Sequence, residues 1–330
     1  MDEMQVPILG KPLGSYEYRY TPKLCVITPY YNPVGYETRW RNYQLFMRLM
    51  RESGIRTITV ECAFGDQQFS LPDSPDVIKI RGKSLLWQKE RLINLVLPWL
   101  PRSCEYVAWI DCDLIFLDSD WAKKTVTALE THPIVQVFDT CHQLPQHFAR
   151  AENRGQLCTS FAHIVCGNRS VLKTGRYEDH GHPGYGWAAR RDVLERHGLY
   201  EYAIAGSADH YMAHAAVGDL DSPCIAKMMF NRPAPMQCFR EWAEKFDVTV
   251  GGNLGVIHGE VLHLWHGEPK DRKYYLRQLE LAELEFNPTA DLIALPGKPL
   301  ELMPGRHDLE AFLAAYFVQR REDGPTQIAA

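Results

Sequence analysis

Short apolar blocks bounded by turn residues set the rhythm of this chain's first half. Lys23–Thr28 (KLCVIT) predicts a buried strand, ended by Pro29-Tyr30-Tyr31-Asn32-Pro33. Tyr36–Ser53 carries apolar residues at helical spacing (Tyr43, Phe46, Met47, Met50) and stops at Gly54. Ile55–Cys62 is a β-branched, alternating run and predicts a second strand, with Asp76–Ile80 a third. Ser84–Leu97 predicts a helix capped by Ser84 and closed by Pro98, and Glu105–Ile110 (EYVAWI) a central strand. Strand, helix, strand, strand, helix, strand predicts an α/β sheet with a largely parallel half.

The second half is less regular. Arg190–His197 and Asp209–Ala216 read as helices, Gly255–Leu264 as one strand, Lys270–Glu285 as a long charged helix and Asp308–Arg321 as a terminal one. Ala149–Gln156 and Ser222–Arg232 read as loops. No internal repeat, low-complexity stretch or linker divides the chain, so one composite domain is expected.

Composition changes this picture little. Over 330 residues, 45% are hydrophobic and 23% charged, as in ordinary soluble domains. The longest apolar runs, such as Leu92–Leu100, are too short to span a bilayer. Met1–Tyr20 has no basic start followed by an apolar stretch, so a cytoplasmic protein is expected. The nine cysteines are scattered without a C-x-x-C pair, which argues for free thiols over a disulfide framework or a zinc knuckle. A net charge of -5 speaks against coating nucleic acid through the overall field, though a local basic groove is compatible with it.

In α/β sheets of this kind, ligands sit beyond the carboxyl ends of the strands. Three segments fall there: PYYN after the first strand, Glu61 at the end of the second, and Asp111-Cys112-Asp113 after EYVAWI. Two carboxylates two residues apart can reach a divalent cation or a ribose, although D-x-D also occurs in plain solvated turns. His263 and His266, in VLHLWHG, can meet one metal if the backbone turns between them, or can simply be packed histidines. Together the four donors make a mixed N/O set suited to Mn²⁺. Asp209, at the start of a helix in AIAGSADHYMAHA, is either a helix cap or a general base. His210 and His214, four apart on that helix, read as partly exposed histidines. Tyr30, Tyr31, Trp87, Trp187, Tyr200 and Tyr202 are aromatics able to stack on a base or sugar, and Lys83, Lys89 and Arg91 are cations able to meet phosphate.

In their order along the chain, these motifs resemble the GT-A glycosyltransferases, in particular family-2-like enzymes and the β-1,4-galactosyltransferase and polypeptide N-acetylgalactosaminyltransferase group. VITPYYN is similar to the opening strand and nucleotide loop, and WQKERLIN with YVAWIDCDLIF to the donor-site helix and D-x-D strand. GHPGYGWAARRDVLERHGLY resembles the glycine-rich turn and helix before the catalytic acid loop, which GSADHY occupies. HLWHGEPKDRKY resembles the late metal-ligand segment. The likeness runs discontinuously from about Leu24 to Lys273.

The resemblance implies an α/β GT-A (Rossmann-like) fold, a mixed and largely parallel sheet flanked by helices, over 1–330. Within it, 21–140 would bind the nucleotide sugar, 141–285 would carry the acceptor and catalytic residues, and 286–330 would be a C-terminal extension. It makes Asp209 the base, and Asp113, Asp111, His266 and His263 the ligands of Mn²⁺ or Mg²⁺. It makes Pro29, Tyr30, Tyr31, Asn32, Glu61, Lys89, Asp111, Gly186 and Trp187 donor contacts, and Tyr202 and Trp187 acceptor contacts. The implied donor is a UDP-sugar; the acceptor is left open among a glycan, a lipid-linked saccharide, a protein or a hydroxymethylated DNA base. The family usually has an acidic residue before its catalytic Asp, and here that position is Ala208, which bears on acceptor class. The tail FNPTADL…YFVQRREDG resembles bacterial and phage-encoded relatives. A nucleotidyltransferase, a metallohydrolase and a non-catalytic saccharide-binding protein are the rival readings; the first normally carries a basic glycine-rich loop after its first strand, which PYYNP is not.

Overall fold

The structure, a computed structural model, describes residues 23–146 and 155–324. Met1–Tyr20 and most of the expected loop at 149–156 lie outside them; Gln156 already begins a strand.

The first half follows the hydrophobic pattern. Strand β1 (Leu24–Tyr30), helix α1 (Glu37–Glu52), β2 (Thr57–Phe64), β3 (Val77–Gly82), helix α2 (Lys89–Val96) and β4 (Tyr106–Ile110) appear in the expected order. Both β1 and β2 are buried along their whole length, as central parallel strands are. Beyond them come β5 (Leu114–Phe116), α3 (Trp121–Leu129), β6 (Ile134–Gln136), β7 (Thr140–Gln143), β8 (Gln156–Thr159), α4 (Phe161–Gly167), β9 (Gly186–Arg190) and α5 (Arg191–His197). The remainder is α6 (Ala208–Ala216), α7 (Pro223–Met228), α8 (Pro233–Val250), β10 (Leu254–Val256), β11 (Glu260–His263), α9 (Leu276–Glu283), α10 (Pro288–Asp291), β12 (Leu292–Ile293), β13 (Glu301–Leu302) and α11 (His307–Gln319).

The large sheet has the order β10-β6-β9-β4-β1-β2-β3. Its β1–β2, β1–β4, β2–β3 and β6–β10 pairs are parallel, and only β9, between β4 and β6, runs against its neighbours. This is the mixed, largely parallel sheet flanked by helices that was expected. One apolar cluster packs α2, α6 and α8 on one face, around Trp109 and Trp187; another packs α1 and α3 on the other, around Tyr30, Phe46 and Phe138. Among the described residues no helix is long and apolar enough to cross a membrane.

Four expected elements differ. The helix expected from Ser84 starts five residues later, at Lys89. Residues before it bond instead to distant segments: the Trp87 N–H donates to Ile204 O, and the Leu302 N–H to Ser84 Oγ, so Ser84 caps nothing. Gly255–Leu264 is two strands, because the chain crosses from the large sheet (β10) to a second sheet of order β5-β11-β7-β8. It runs beside β6 and β7, which make the same crossing. Ser222–Arg232 holds helix α7: Pro223 opens it and the Ser222 hydroxyl accepts the Cys224 N–H, a proline-and-serine start. The long helix expected over Lys270–Glu285 is a 3-10 turn, Pro269–Arg272, then α9; Lys273, at φ 47°, breaks it in the left-handed region.

Candidate functional site

Because β1 and β4 are parallel neighbours, Pro29-Tyr30-Tyr31 and Asp111-Cys112-Asp113 emerge at the same edge. There Pro29, Tyr31 and Asp111-Cys112-Asp113 floor a cavity of about 530 Å³. Backbone pairing brings the other motifs to it. The N–H of Asp111 donates to Tyr185 O at 2.9 Å, and Ile110 pairs with Gly186, so the glycine-rich turn meets the D-x-D. Antiparallel pairing of β5 with β11 sets His263 opposite Leu114, and the Leu264 N–H donates to Asp113 O at 2.8 Å. The H-x-x-H segment is thereby fastened to the same turn.

The two aspartates face different partners. Asp111 Oδ1 lies 2.7 Å from the Lys89 ammonium, which also donates to both oxygens of Asp209 at 3.2 Å. Lys89 is buried at the first position of α2. Burial works against its charged form, but Asp111 and then Asp209 outweigh this and hold its pKa well above the usual lysine range. Asp209 is raised by burial, with Lys89 opposing. Next to Lys89, buried Glu90 is pushed up to about 8, by burial first and then by Asp209.

Asp113 turns the other way, with its oxygens 3.1 Å from His266 Nε2 and 3.7 Å from His263 Nε2. The two Nε2 atoms are 3.1 Å apart, and Asp113 Oδ1 is buried without a hydrogen-bond partner. Burial, followed by Arg272, lowers His266 to about 3; burial, followed by His266, lowers His263 well below the imidazole range. Both rings are thus neutral, the form that ligates metals. Burial, followed by Asp111, raises Asp113 to about 7. One carboxylate oxygen lacking a partner and two neutral imidazoles converging on it form a donor set that fits a divalent cation. The Arg272 guanidinium donates to His266 Nε2 at 2.7 Å and supplies the positive charge these groups face.

Helix α6 aims Asp209. Gly206 and Ser207 both have positive φ (88° and 85°), which turns the chain sharply into the helix. Arg277 clamps this entry by donating to Ser207 Oγ at 2.8 Å. Asp209 itself is the second helical residue and makes no capping bond, so the cap reading does not hold. A Cβ on Gly184 would come 2.9 Å from the His182 ring and 3.5 Å from Asp209 Oδ2, so the turn passes too close for a side chain. Tyr185, at φ 78°, is strained there; its ring stacks on His182 at 3.9 Å, and its hydroxyl accepts from Gln143.

Pro29, Tyr31, Lys89, Asp111, Asp113, Asp209, His263 and His266 all line the cavity. Other expected contacts do not. Tyr30 points away from its neighbour Tyr31, as successive strand residues do, and packs on Trp40 and Tyr43. Asn32 is spent on Tyr36, bonding both its N–H and its carbonyl. Buried Glu61 accepts the backbone N–H groups of Ser70 and Leu71. Trp187 is core, its indole N–H donating to Pro183 O, and Gly186 lies in the sheet against Val137. Tyr202 lines a separate small hollow beside Arg232 and Pro288. Of the aromatics, Tyr31 and Trp87 face the cavity and Tyr200 is core. Arg91 is paired with Glu201, and Lys83 with Glu301. The pattern missed Arg272, His182, Tyr185, Arg277 and Arg320, all on the cavity wall. The cluster of cations in EPKDRK was the available signal for Arg272; Arg320 comes from 48 residues further on and gave none.

No known family and no curated protein matches this sequence. Among solved structures, the chain is similar to the catalytic domain of Drosophila β1,4-galactosyltransferase 7 in complex with xylobiose (12% identity, TM-score 0.30, 58% of each chain covered). It is also similar to glucosyl-3-phosphoglycerate synthase from Mycobacterium tuberculosis in complex with Mn²⁺, UDP-glucose and phosphoglyceric acid (12% identity, TM-score 0.39, 86% of each chain). A third is 4-diphosphocytidyl-2C-methyl-D-erythritol synthase from Anaerococcus prevotii (11% identity, TM-score 0.33, 75% of this chain and 89% of that one). The chain spans 58% of the length of the galactosyltransferase structure it matches. At these scores the likeness assigns neither substrate nor activity.

Proposed function

We propose that the chain is an inverting, metal-dependent glycosyltransferase that moves a sugar from a nucleotide sugar, with UDP as the nucleotide, to an acceptor hydroxyl. The observation that carries this reading is the shared cavity itself. Asp209, Lys89 and Asp111 stand on one side, and Asp113, His263 and His266 on the other, at the carboxyl ends of β1 and β4. Asp113, His263 and His266 would hold Mn²⁺ or Mg²⁺, which when bound neutralises the departing diphosphate.

Asp209 takes the acceptor's hydroxyl proton. As that O–H bond breaks, the oxygen attacks the anomeric carbon from the face opposite the leaving group. The bond from that carbon to the diphosphate oxygen breaks with its electron pair left on the diphosphate, so configuration inverts. Lys89 favours the carboxylate form of Asp209 against the burial that raises it, and fixes its orientation before the acceptor arrives. Arg272 and Arg277 give the cavity wall cations suited to phosphate. Trp87 and Tyr31 offer apolar ring surface beside them.

Thermal unfolding of the full chain with a panel of nucleotide sugars, with and without Mn²⁺, tests the reading. Stabilisation by UDP-sugars that requires the metal is expected. Stabilisation by nucleoside triphosphates instead, with pyrophosphate release, would favour a nucleotidyltransferase; turnover in excess chelator would remove the metal.

A further inference from the structure

A second group of histidines lies in the packing between α6, α7 and the loop before β9, where His210 and Cys224 also line the cavity. The sequence reads His210 and His214 as partly exposed, but both are buried, at 3% and 0% exposure. They join buried His180 and Cys224, which come from elsewhere in the chain. Ligand atoms of His180, His214 and Cys224 all lie within 4.8 Å of one another.

Each of two rings has one nitrogen engaged and one free. His214 Nδ1 bonds to the Asp219 carboxylate at 2.7 Å, and its buried Nε2 has no partner. His180 Nε2 bonds to Val171 O at 3.1 Å, and its buried Nδ1 has none. His210, one helical turn from His214 and stacked on it at 4.8 Å, has neither nitrogen engaged. Two unbonded ring nitrogens, one on His180 and one on His214, thus stand by a buried thiol, with the unbonded His210 ring next to His214. Buried polar groups without partners are costly, so such a gathering calls for a ligand. A carboxylate or carbonyl on the far nitrogen is how metal-binding imidazoles are oriented.

We propose that His180 Nδ1, His214 Nε2 and Cys224 Sγ bind a structural Zn²⁺. A thiolate with imidazoles in a buried setting is zinc chemistry, unlike the oxygen-containing set at Asp113. On binding, the Cys224 S–H bond breaks, its proton goes to solvent and the thiolate pair coordinates the cation. The ion would tie α6, which carries Asp209, to α7 and to the loop before β9. Neither donor set shares a residue with the other, and the proposal stands whether or not the chain transfers sugars.

The test is Co²⁺ titration of the full metal-depleted chain, followed by absorbance, with elemental analysis of the protein as purified. One equivalent of zinc is expected as purified, and a thiolate-to-Co²⁺ charge-transfer band on titration. The band should vanish in Cys224→Ser and persist in the Asp113→Ala/His266→Ala double variant. His180→Gln, which keeps the thiol, should weaken Co²⁺ binding by at least the roughly 10–100-fold that even an outer partner of a metal site is worth. That arm decides the matter if Cys224→Ser fails to fold. Absence of the band in the parent chain, its survival in Cys224→Ser, or unchanged Co²⁺ affinity in His180→Gln overturns the proposal.

Discussion

The two sides of the cavity floor are built by residues only two apart, yet they are electrostatic opposites. On the Lys89 side, a buried ammonium sits between the carboxylates of Asp111 and Asp209. On the histidine side, the imidazoles are held neutral and Asp113 is raised to about 7 by burial and then by Asp111, with Arg272 as the neighbouring cation. Had Asp111 and Asp113 lain within β4, they would share a face. They lie past its end, where the chain turns into β5, and so they diverge. One side carries its own cation; the other would receive one in the function proposed above.

The largest effect expected from breaking this contrast is at Asp209. Asp209→Asn removes the proton acceptor and should lower transfer by roughly 10²–10⁴-fold while melting temperature and donor binding stay near the parent values. Near-normal turnover would return Asp209 to a positioning role. Lys89→Met is next: deleting the shared ammonium leaves two carboxylates facing each other in a half-buried setting. Removing one partner of a buried pair costs about 3–5 kcal/mol, and the partial exposure of both aspartates brings the expectation to about 2–3 kcal/mol, read by denaturant unfolding. An unchanged midpoint would mean that the ammonium is as well solvated as the carboxylates.

On the other side, His266→Ala should weaken Mn²⁺ binding at least tenfold in calorimetric titration, within the roughly 10–100-fold range for losses around a metal site, with no comparable loss of stability. Equal affinity in variant and parent would remove the histidines from the metal set. A pH series sharpens the electrostatics of the Lys89 side. Glu90 titrates at about 8 in the fold, above its ordinary value near 4.5. A carboxyl raised on folding means that the native state holds the extra proton between these values, so its contribution to stability is present below pH 4.5 and fades as pH rises through 8. Glu90→Gln should therefore gain on the parent chain as pH increases from 5 to 8. Parallel stability-against-pH curves would show that Glu90 is ionised throughout.

How legible these features were depends on how far apart in sequence their causes lie. β1, α1, β2, β3 and β4 could be read because each is specified by its own periodicity, to within a residue or two. The failures share a reason in tertiary pairing. Ser84 to Gln88 leave the helix because Ile204, Leu300 and Leu302 take their hydrogen bonds from over a hundred residues away. The strand read as Gly255–Leu264 splits because β6 and β7 already belong to different sheets. In the site, chemical type and strand-end position sufficed for Asp111, Asp113, His263 and His266, and burial that no local pattern encodes hid the His180, His214 and Cys224 group. Glu61 and Tyr202 were placed by analogy of position, and the structure commits the first to backbone donors and the second to another hollow.

The closure of α1 by late residues has a consequence for when the cavity can exist at all. Asp323 accepts the N–H groups of Glu37 and Thr38, satisfying the start of α1 from 285 and more positions downstream. Glu322 binds the Arg39 guanidinium through both oxygens, pairs with Arg320 and stands 3.8 Å from His266 Nδ1. During synthesis, then, both aspartates of the D-x-D turn and both histidines emerge from the ribosome well before the carboxylates that brace them. A nascent chain would hold every ligand with its first helix unfinished, and the site would mature only after residue 323 had cleared the exit tunnel.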